Sequence, residues 1–263
     1  MIELKKIHQK FEKDGSLMSI LDEINLDIMD GEFTCVLGPS GCGKTTLLNI
    51  IGGFVPPYSG NFLLDGQPCS YPDRHRGIVF QDYSLFRWLT VEENVAMGLE
   101  LEEIHFLTKF INPFFYQKKQ KFINKAREYL ETVGLENAIT KYPFELSGGM
   151  KQRVAIAQAL IMQPRVLLMD EPFGALDPLT RDELQRVIKE IHRKEKVTIF
   201  FITHDMDEAL HIATRIILLS HHSNTDSQGK SKGARVVLDK KIDRNKITAE
   251  ELEKMKGEIL SHF

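Results

Sequence analysis

The sequence predicts an α/β fold: a phosphate-loop-type core with a mainly parallel sheet, an antiparallel β subdomain and an inserted α-helical subdomain. Three observations predict it. Short apolar segments alternate with helical segments, as parallel strands covered on both faces do. Two early segments alternate apolar with polar residues, which is typical of half-exposed antiparallel strands. Finally, no strand pattern occurs between Thr90 and Gly134.

Composition narrows the classes of function. The 263 residues suffice for one large α/β domain, or for a core with a small subdomain. The formal net charge of −3 provides no global basic field, so we expect no nucleic-acid partner. Three cysteines without CxxC spacing indicate a reducing, cytosolic setting rather than a disulfide scaffold. The apolar runs fall short of the roughly 20 residues that span a bilayer, so any membrane role should come through a partner protein.

The predicted strands fall into two groups. Period-two alternation predicts the antiparallel strands Ile2–Ile7 and Ile20–Ile28. Short apolar runs predict the strands of the main sheet, which are Phe33–Leu37, Gly77–Phe80, Val166–Met169, Val197–Thr203 and Ile216–Leu219. Another strand, Arg235–Leu238, is expected after a polar loop at residues 221–233.

Capping signals predict four helices. Thr90 and Glu93 form a capping box that opens one helix, and Gly134 is placed to close another that begins near Lys118. Ser147 is a candidate N-cap for a helix over Met150–Met162, and Thr248 caps the last helix. The helix after the phosphate loop, Thr45–Ile51, is expected from context. We therefore expect a domain at residues 1–220 with a helical subdomain at about 90–160, and a C-terminal part at 221–263 that packs on it.

A phosphate-binding loop is the first chemical motif. Gly38–Thr45 matches GxxxxGK[ST] between an apolar strand and a helix. Glycines let backbone N–H groups surround phosphate oxygens, and the helix directs its positive end at the same anion. Lys44 would place a charge beside the β- and γ-phosphates of ATP, and the Thr45 hydroxyl can ligate Mg²⁺. The predicted nucleotide-binding residues here are Gly38, Pro39, Ser40, Gly41, Cys42, Gly43, Lys44, Thr45 and Thr46.

Two interpretations accompany this loop. Cys42 is interpreted as a tolerated small residue rather than a redox switch. A glycine-rich turn that binds nothing is the alternative to a phosphate site, and the complete motif in its strand–helix context disfavours it.

Two carboxylates follow a buried strand. Asp170 and Glu171 come directly after Val166–Met169, at a strand end of the kind where open α/β sheets place ligand chemistry. Asp170 suits a Mg²⁺ carboxylate, acting directly or from behind the direct ligands. Glu171 suits polarisation of the attacking water. By themselves they would be interpreted as an exposed acidic turn, but the phosphate loop favours the catalytic hypothesis.

A second anion site lies about 100 residues further along the chain than the phosphate loop, too far to belong to the same motif. Ser147 and two glycines begin a helix in the segment Leu146–Arg153, which we call the signature segment. The alternative is a serine that merely caps. This segment, LSGGMKQR, resembles the signature sequence of ATP-binding-cassette (ABC) ATPases, which other phosphate-loop families lack. The resemblance covers nearly the whole chain up to about residue 220.

The resemblance implies roles for further residues. It implies that Gln81 ligates Mg²⁺ and senses the membrane partner, that Asp177 lies in a loop touching an opposite subunit, and that His204 reaches the γ-phosphate. Phe11 would stack on adenine. Structural alternatives remain open for His204 and Phe11, since a histidine at a strand end is usually structural and a phenylalanine near an early strand usually lies in the core.

The resemblance also implies an assembly. Two copies would pair head to tail, so that Ser147, Gly148 and Gly149 contact the nucleotide held by Lys44 of the other copy. ATP would close this homodimer and hydrolysis would release it.

One segment resembles a narrower group. Phe80–Val91, continuing to Val95, is similar to a segment of the nitrate/sulfonate/taurine importer ATPases, with Arg87 in place of a proline and Phe86 in place of a leucine. The resemblance implies that the chain binds transmembrane permease subunits and, through them, works with a solute-binding protein. It also implies a peripheral location at the cytoplasmic face of the membrane. The alternatives are the ATPase of an exporter or lipid-transport system, a soluble cassette protein of translation or DNA repair, and a kinase or GTPase. Soluble cassette proteins resemble fused tandem cassettes or carry long coiled-coil insertions, whereas this chain has one cassette and no sustained heptads. A kinase or GTPase would have no reason to contain LSGGMKQR.

Two segments stay open at the sequence level. Residues 101–122 are rich in aromatic residues, and extra core of the helical subdomain is favoured over a patch that docks on the membrane partner. His221 and His222 lie in a polar loop, and a solvated loop is favoured over a metal site because a third ligand is not evident.

Overall fold

The computed structural model describes residues 1–13, 15–69, 71–103, 115–220 and 232–262. The chain divides into two compact units, residues 1–73, 168–171 and 196–263 for the first, and residues 74–167 and 172–195 for the second. In chain order the elements are β1 (Ile2–Lys13), β2 (Ser16–Ile28), β3 (Phe33–Leu37), α1 (Lys44–Gly52), β4 (Ser59–Leu64), β5 (Gln67–Pro68), β6 (Arg76–Val79), α2 (Val91–Glu103), α3 (Phe115–Thr132), α4 (Gly148–Leu160), β7 (Val166–Asp170), α5 (Pro178–Glu195), β8 (Thr198–Ile202), α6 (Met206–Ile212), β9 (Arg215–Leu219), β10 (Val236–Lys241) and α7 (Ala249–Leu260).

The first unit contains the predicted antiparallel sheet. Its strand order is β2-β1-β4-β5, and every pairing is antiparallel. The predicted strand Ile2–Ile7 is too short, because pairing with β2 continues as far as Lys13 opposite Ser16. Backbone hydrogen bonds of this long hairpin extend β1 beyond its apolar half. The extension carries Phe11 away from the apolar face of the sheet.

The main sheet of the first unit surrounds β3. Strand β3 pairs in parallel with β8 on one side and β9 on the other, and β10 adds to β9 in antiparallel fashion. Every residue of β3, β8 and β9 is buried, which explains why these strands are mainly apolar; their exceptions, Thr34, Thr198 and Arg215, are buried polar residues. Strand β7 follows β8 in the sheet. Because β3 and β8 run in parallel, the segments that follow their carboxyl ends meet at one edge, and Glu171 after β7 joins this edge through a hydrogen bond from its N–H to Ile202 O.

The second unit is mainly helical. Strand β6 lies beside the beginning of β7, since the backbone N–H groups of Arg165 and Val166 both donate to His75 O. Helices α2, α3 and α4 pack together, and α5 packs on α4. The capping box at α2 is confirmed: Thr90 N lies 3.0 Å from Glu93 Oε2, and Glu93 N lies 3.4 Å from Thr90 Oγ1.

The predicted fold class is confirmed, with additions. The β4–β5 hairpin and the helices α5 and α6 were not predicted. The exact limits of the domain and of its helical subdomain stay predictions. His221, His222 and Phe106, Phe110 and Phe114 of the aromatic segment lie outside the described residues, as do the side chains of Phe115 and Tyr116. In the described part of the chain, no helix combines the length and the apolar character needed to cross a membrane.

Candidate nucleotide site

The phosphate loop joins β3 to α1 in a conformation that requires glycine. Gly38 and Gly43 have φ values of 153° and 98°. A β-carbon at Gly38 would lie 2.7 Å from Cys42 Sγ and 2.9 Å from Leu219 O, closer than real contacts allow. At Gly43 it would lie 2.9 Å from the side chains of Ile20 and Leu21. Both the backbone conformation and the close packing at these two positions therefore require glycine.

Lys44 begins α1 and turns back over the loop. Its Nζ donates to Gly38 O at 2.8 Å and to Pro39 O at 3.2 Å, and the side chain is largely buried. The ammonium group is thus held above the loop, where an anion would sit. Cys42 is fully buried beneath it, and burial raises the pKa of its thiol. A buried neutral thiol agrees with its interpretation as a small packing residue.

Thr45 and Asp170 place two oxygen groups side by side. Thr45 Oγ1 donates to Asp170 Oδ1 at 3.3 Å, joining the first turn of α1 to the end of β7. Burial raises the pKa of Asp170, and the hydrogen bond from Thr45 only partly opposes that change. The carboxylate is therefore partly desolvated, and the hydrogen bond from Thr45 does not fully offset the cost of burying its charge.

Glu171 and His204 form the second pair at this edge. The backbone of Glu171 is left-handed, with φ 43°, and its N–H donates to Ile202 O of β8 at 3.0 Å. A non-glycine residue in this region is strained, and such strain concentrates at functional sites. The carboxylate Oε2 lies 3.0 Å from Nδ1 of His204, whose side chain is 64% exposed. The imidazole is therefore exposed rather than part of the core, and it is accessible to a ligand.

An open cleft of about 380 Å³ lies beside Lys44, Thr45 and Glu171. Its lining is Phe11, Ile20, Ser40, Gly41, Gly43, Lys44, Thr45, Thr46 and Glu171. The volume lies in the range of small-molecule sites. Phe11 is 42% exposed at this cleft, so its alternative interpretation as a core residue is also wrong.

The second unit carries the remaining predicted residues. Ser147 is exposed and caps α4, its Oγ accepting from Met150 N at 3.3 Å. Gln81 is exposed after β6, and a β-carbon at Gly148 would lie 3.1 Å from Tyr83 Oη of the same segment. The residues from Gln81 to Tyr83, which we call the Gln81 segment, therefore lie beside the start of α4.

Asp177 and Gly149 are tied to one further residue. Asp177 Oδ1 accepts from Thr180 N at 3.1 Å, and hydrogen bonds from the Thr180 side chain and backbone lower the pKa of Asp177. A β-carbon at Gly149 would lie 2.3 Å from Thr180 Cγ2. Sequence reasoning missed Thr180, as it missed Ile20 in the cleft. The signal for Thr180 was its place three residues after Asp177, a spacing typical of a helix cap.

Comparisons with known proteins identify the family. The model of the family described as ABC transporter matches residues 21–174. An uncharacterized ABC transporter ATP-binding protein of Methanocaldococcus jannaschii is 45% identical over 219 residues, which cover 83% of this chain and 77% of the relative. The aliphatic sulfonates import ATP-binding protein of Bacillus subtilis is 44% identical, with 80% and 76% covered. The nitrate import ATP-binding protein of Synechococcus elongatus is 44% identical, with 76% and 69% covered.

A solved structure agrees with this result. A dimeric bacterial ABC transporter cassette has a TM-score of 0.74 at 31% identity, covering 92% of this chain and 99% of the cassette. The same cassette in a post-hydrolysis state with ADP and Pi has a TM-score of 0.73 at 30% identity, with the same coverage. The chain therefore belongs to the ABC transporter family, as an ATP-binding and ATP-hydrolysing cassette.

Proposed function

We propose that this chain is the ATPase subunit of an importer, in which ATP-driven closure of two cassettes drives uptake of a small oxyanion through a permease. The convergence of Lys44, Thr45, Asp170, Glu171 and His204 at one sheet edge carries the ATPase part. Names of relatives support the import part.

Mg²⁺ fits the Thr45–Asp170 pair. This cation prefers a few protein oxygens and completes its coordination with substrate phosphates. Thr45 and Asp170 provide a hydroxyl and a partly desolvated carboxylate that a cation would stabilise. Among the described residues, no group of three His, Cys, Asp or Glu is placed to hold a metal ion. When bound, Mg²⁺ would neutralise charge on the phosphates; Gln81 is proposed as a further ligand.

The hydrolytic roles follow from geometry and charge. Lys44 binds the β- and γ-phosphates, and Phe11, exposed at the cleft, stacks on the adenine. Glu171 accepts hydrogen bonds, so its carboxylate orients the attacking water. His204, held at that carboxylate, faces the γ-phosphate. Phosphoryl transfer needs little beyond such positioning and charge stabilisation.

A second copy would complete the site. Ser147 and Asp177 are exposed in the second unit, and Ser147 lies with Gly148 and Gly149 at a helix N-terminus suited to an anion. We propose that this surface contacts the nucleotide on the phosphate loop of a partner copy, head to tail. The solved structure of a cassette 31% identical to this chain is dimeric, which supports the pairing of two copies.

A permease would bind beside the Gln81 segment. Trp88 is 72% exposed and packs on Phe86 at 5.4 Å between ring centroids. Nearby, a hollow of about 220 Å³ is lined by Asp82, Tyr83, Leu85, Arg87, Pro143, Phe144 and Lys151. We assign this hollow to the permease, which would hold the cassette at the cytoplasmic face of the membrane. Relatives named for sulfonate and nitrate import suggest such an oxyanion as cargo, delivered by a solute-binding protein.

Reconstitution tests this function. The chain is co-expressed with candidate permease subunits, and the complex is placed in liposomes with a candidate binding protein outside. Internal MgATP should drive entry of a labelled alkanesulfonate or nitrate, and a Lys44→Ala complex should not. ATP-dependent movement in the opposite direction would instead establish an exporter.

A further inference from the structure

Helix α6 sits directly after His204 and is too short to be stable by itself. It has seven residues, fewer than an isolated helix needs in water. At its N-terminus Asp205 Oδ1 accepts from Glu208 N at 3.0 Å, and Asp205 N donates to Thr203 Oγ1 at 3.0 Å. His204 is therefore held between the end of β8 and the start of α6. The position of its imidazole depends on whatever fixes α6.

The C-terminal brace, which we define as residues 242–262, contacts α6 at both ends. Arg244 Nε donates to Ala213 O, the C-cap carbonyl of α6, at 2.7 Å. Lys256 of α7 forms an ion pair with Asp207 in the first turn of α6. Helix α7 packs against α6, and its Ile259 is fully buried. The brace thus supplies a cation to the negative end of the α6 dipole and a second tether near its beginning.

The partial burial of Arg244 costs more free energy than a purely structural role would justify. Its side chain is partly buried, Nη2 has no hydrogen-bond partner among the described residues, and burial lowers its pKa. Leaving a guanidinium partly desolvated costs stability. Functional positions tolerate such costs because they need defined geometry.

We propose that Arg244 is a positioning residue for ATP hydrolysis, acting through α6 to hold His204 against Glu171. The proposal rests on the hydrolytic role of His204 proposed above. The brace thereby connects the C-terminal part of the chain to the turnover step, and leaves the phosphate loop and its nucleotide affinity untouched.

Steady-state ATPase kinetics on the full-length protein test this, with nucleotide affinity measured by a fluorescent ATP analogue. Arg244→Ala should lower kcat about tenfold, since small displacements of a catalytic group have effects of this order. KM and analogue affinity should change less than about twofold. Arg244→Lys, which can still donate to Ala213 O, should recover much of the loss. Lys240→Ala is the matched control, because it breaks the Lys240–Glu258 pair of the same region without touching α6.

A double-mutant cycle separates positioning from general damage. In a His204→Ala background, Arg244→Ala should have no further effect on kcat, because the residue it positions is gone. An unchanged kcat in Arg244→Ala, or the same fold loss with and without His204, overturns the proposal. If Arg244→Ala does not fold, Arg244→Met, which keeps an apolar stem but cannot donate to Ala213 O, replaces it in the cycle and is judged by the same outcomes. If His204→Ala alone keeps full turnover, the proposed role of His204 fails, whatever Arg244 does.

Discussion

His204 Nδ1 lies 3.0 Å from Glu171 Oε2, although 33 residues separate them in the chain. The contact depends on β7 and β8 being neighbours and on the left-handed backbone of Glu171. It places the carboxylate proposed to orient water beside the histidine proposed to face the γ-phosphate.

His204→Ala should separate turnover from binding. Loss of a positioned polar group in the transition state typically costs 10²–10⁴-fold, so we expect kcat to fall at least about 10²-fold. Affinity for a fluorescent ATP analogue should stay within about twofold of the original, because the cleft is lined without His204. His262→Ala provides the control of equal chemistry. Parallel losses in affinity and kcat would show that His204 only maintains the loop.

Lys44→Ala should weaken nucleotide binding itself. The substitution removes the ammonium held over Gly38 O and Pro39 O, and with it a charge facing the phosphates. A charged hydrogen bond of this kind contributes about 1.5–3 kcal/mol, so the dissociation constant should rise at least about tenfold. Lys246→Ala, which loses only an exposed pair with Asp243, is the control. Equal affinities for the two variants would refute the assignment.

Asp170→Asn should stabilise the nucleotide-free protein. Burial raises the pKa of Asp170 above its ordinary value of 3.8, so the folded state binds the proton more tightly than the unfolded state does. Stability is therefore lost as pH rises through the window between these two pKa values. Without Mg²⁺, the Tm of Asp170→Asn should exceed that of the original protein at pH 7, and the gap should narrow towards pH 4. A gap that widens on acidification would contradict the direction of the shift. MgATP should raise the Tm of the original protein more than that of the variant.

Gly149→Ala should destabilise the second unit by steric overlap. The new β-carbon would meet Thr180 Cγ2 at 2.3 Å, and overpacking of this kind costs about 1–3 kcal/mol. Thr180→Ser removes that methyl group, so the double variant should regain most of the lost free energy of unfolding in urea titrations. If the double variant instead loses the sum of the two single-variant losses in free energy of unfolding, the glycine is needed for another reason.

Local signals predicted local structure well. The capping boxes of Thr90 with Glu93 and of Thr248 with Glu251 are present, because each involves residues three apart. Strand β3 has the predicted limits, since its burial on both faces gives a mainly apolar run between Glu32 and Gly38. The phosphate loop lies where its motif placed it, between β3 and α1.

Elements without a clear periodic signal were missed. Seven residues are too few for α6 to show a helical repeat, and β5 has only two. Helix α5 is different: its buried Leu184, Ile188 and Ile191 are spaced as on one helical face, so a signal was present in the sequence.

The contacts between the residues of the site could be established only from the structure. The sequence predicted that Asp170 and Glu171 follow one strand and His204 another, but not that these strands are neighbours, the left-handed backbone at Glu171 or the contact with His204. These depend on strand register and on a strained dihedral angle, neither of which has a local sequence signal. The clash that fixes Gly149 against Thr180 is of the same kind, because side-chain packing decides it.

The most direct test of the account is the mass of Glu171→Gln in solution with MgATP. The amide keeps the size of the side chain but cannot act as a base, so ATP should bind and remain intact between two copies. Light scattering after size exclusion should show a species of twice the protomer mass with MgATP and a monomer without it. A Glu171→Gln, Ser147→Arg double variant should stay monomeric, because the bulky cation blocks the signature segment. If Glu171→Gln binds MgATP and remains a monomer even beside its permease, two copies do not share the nucleotide and the proposed mechanism is wrong.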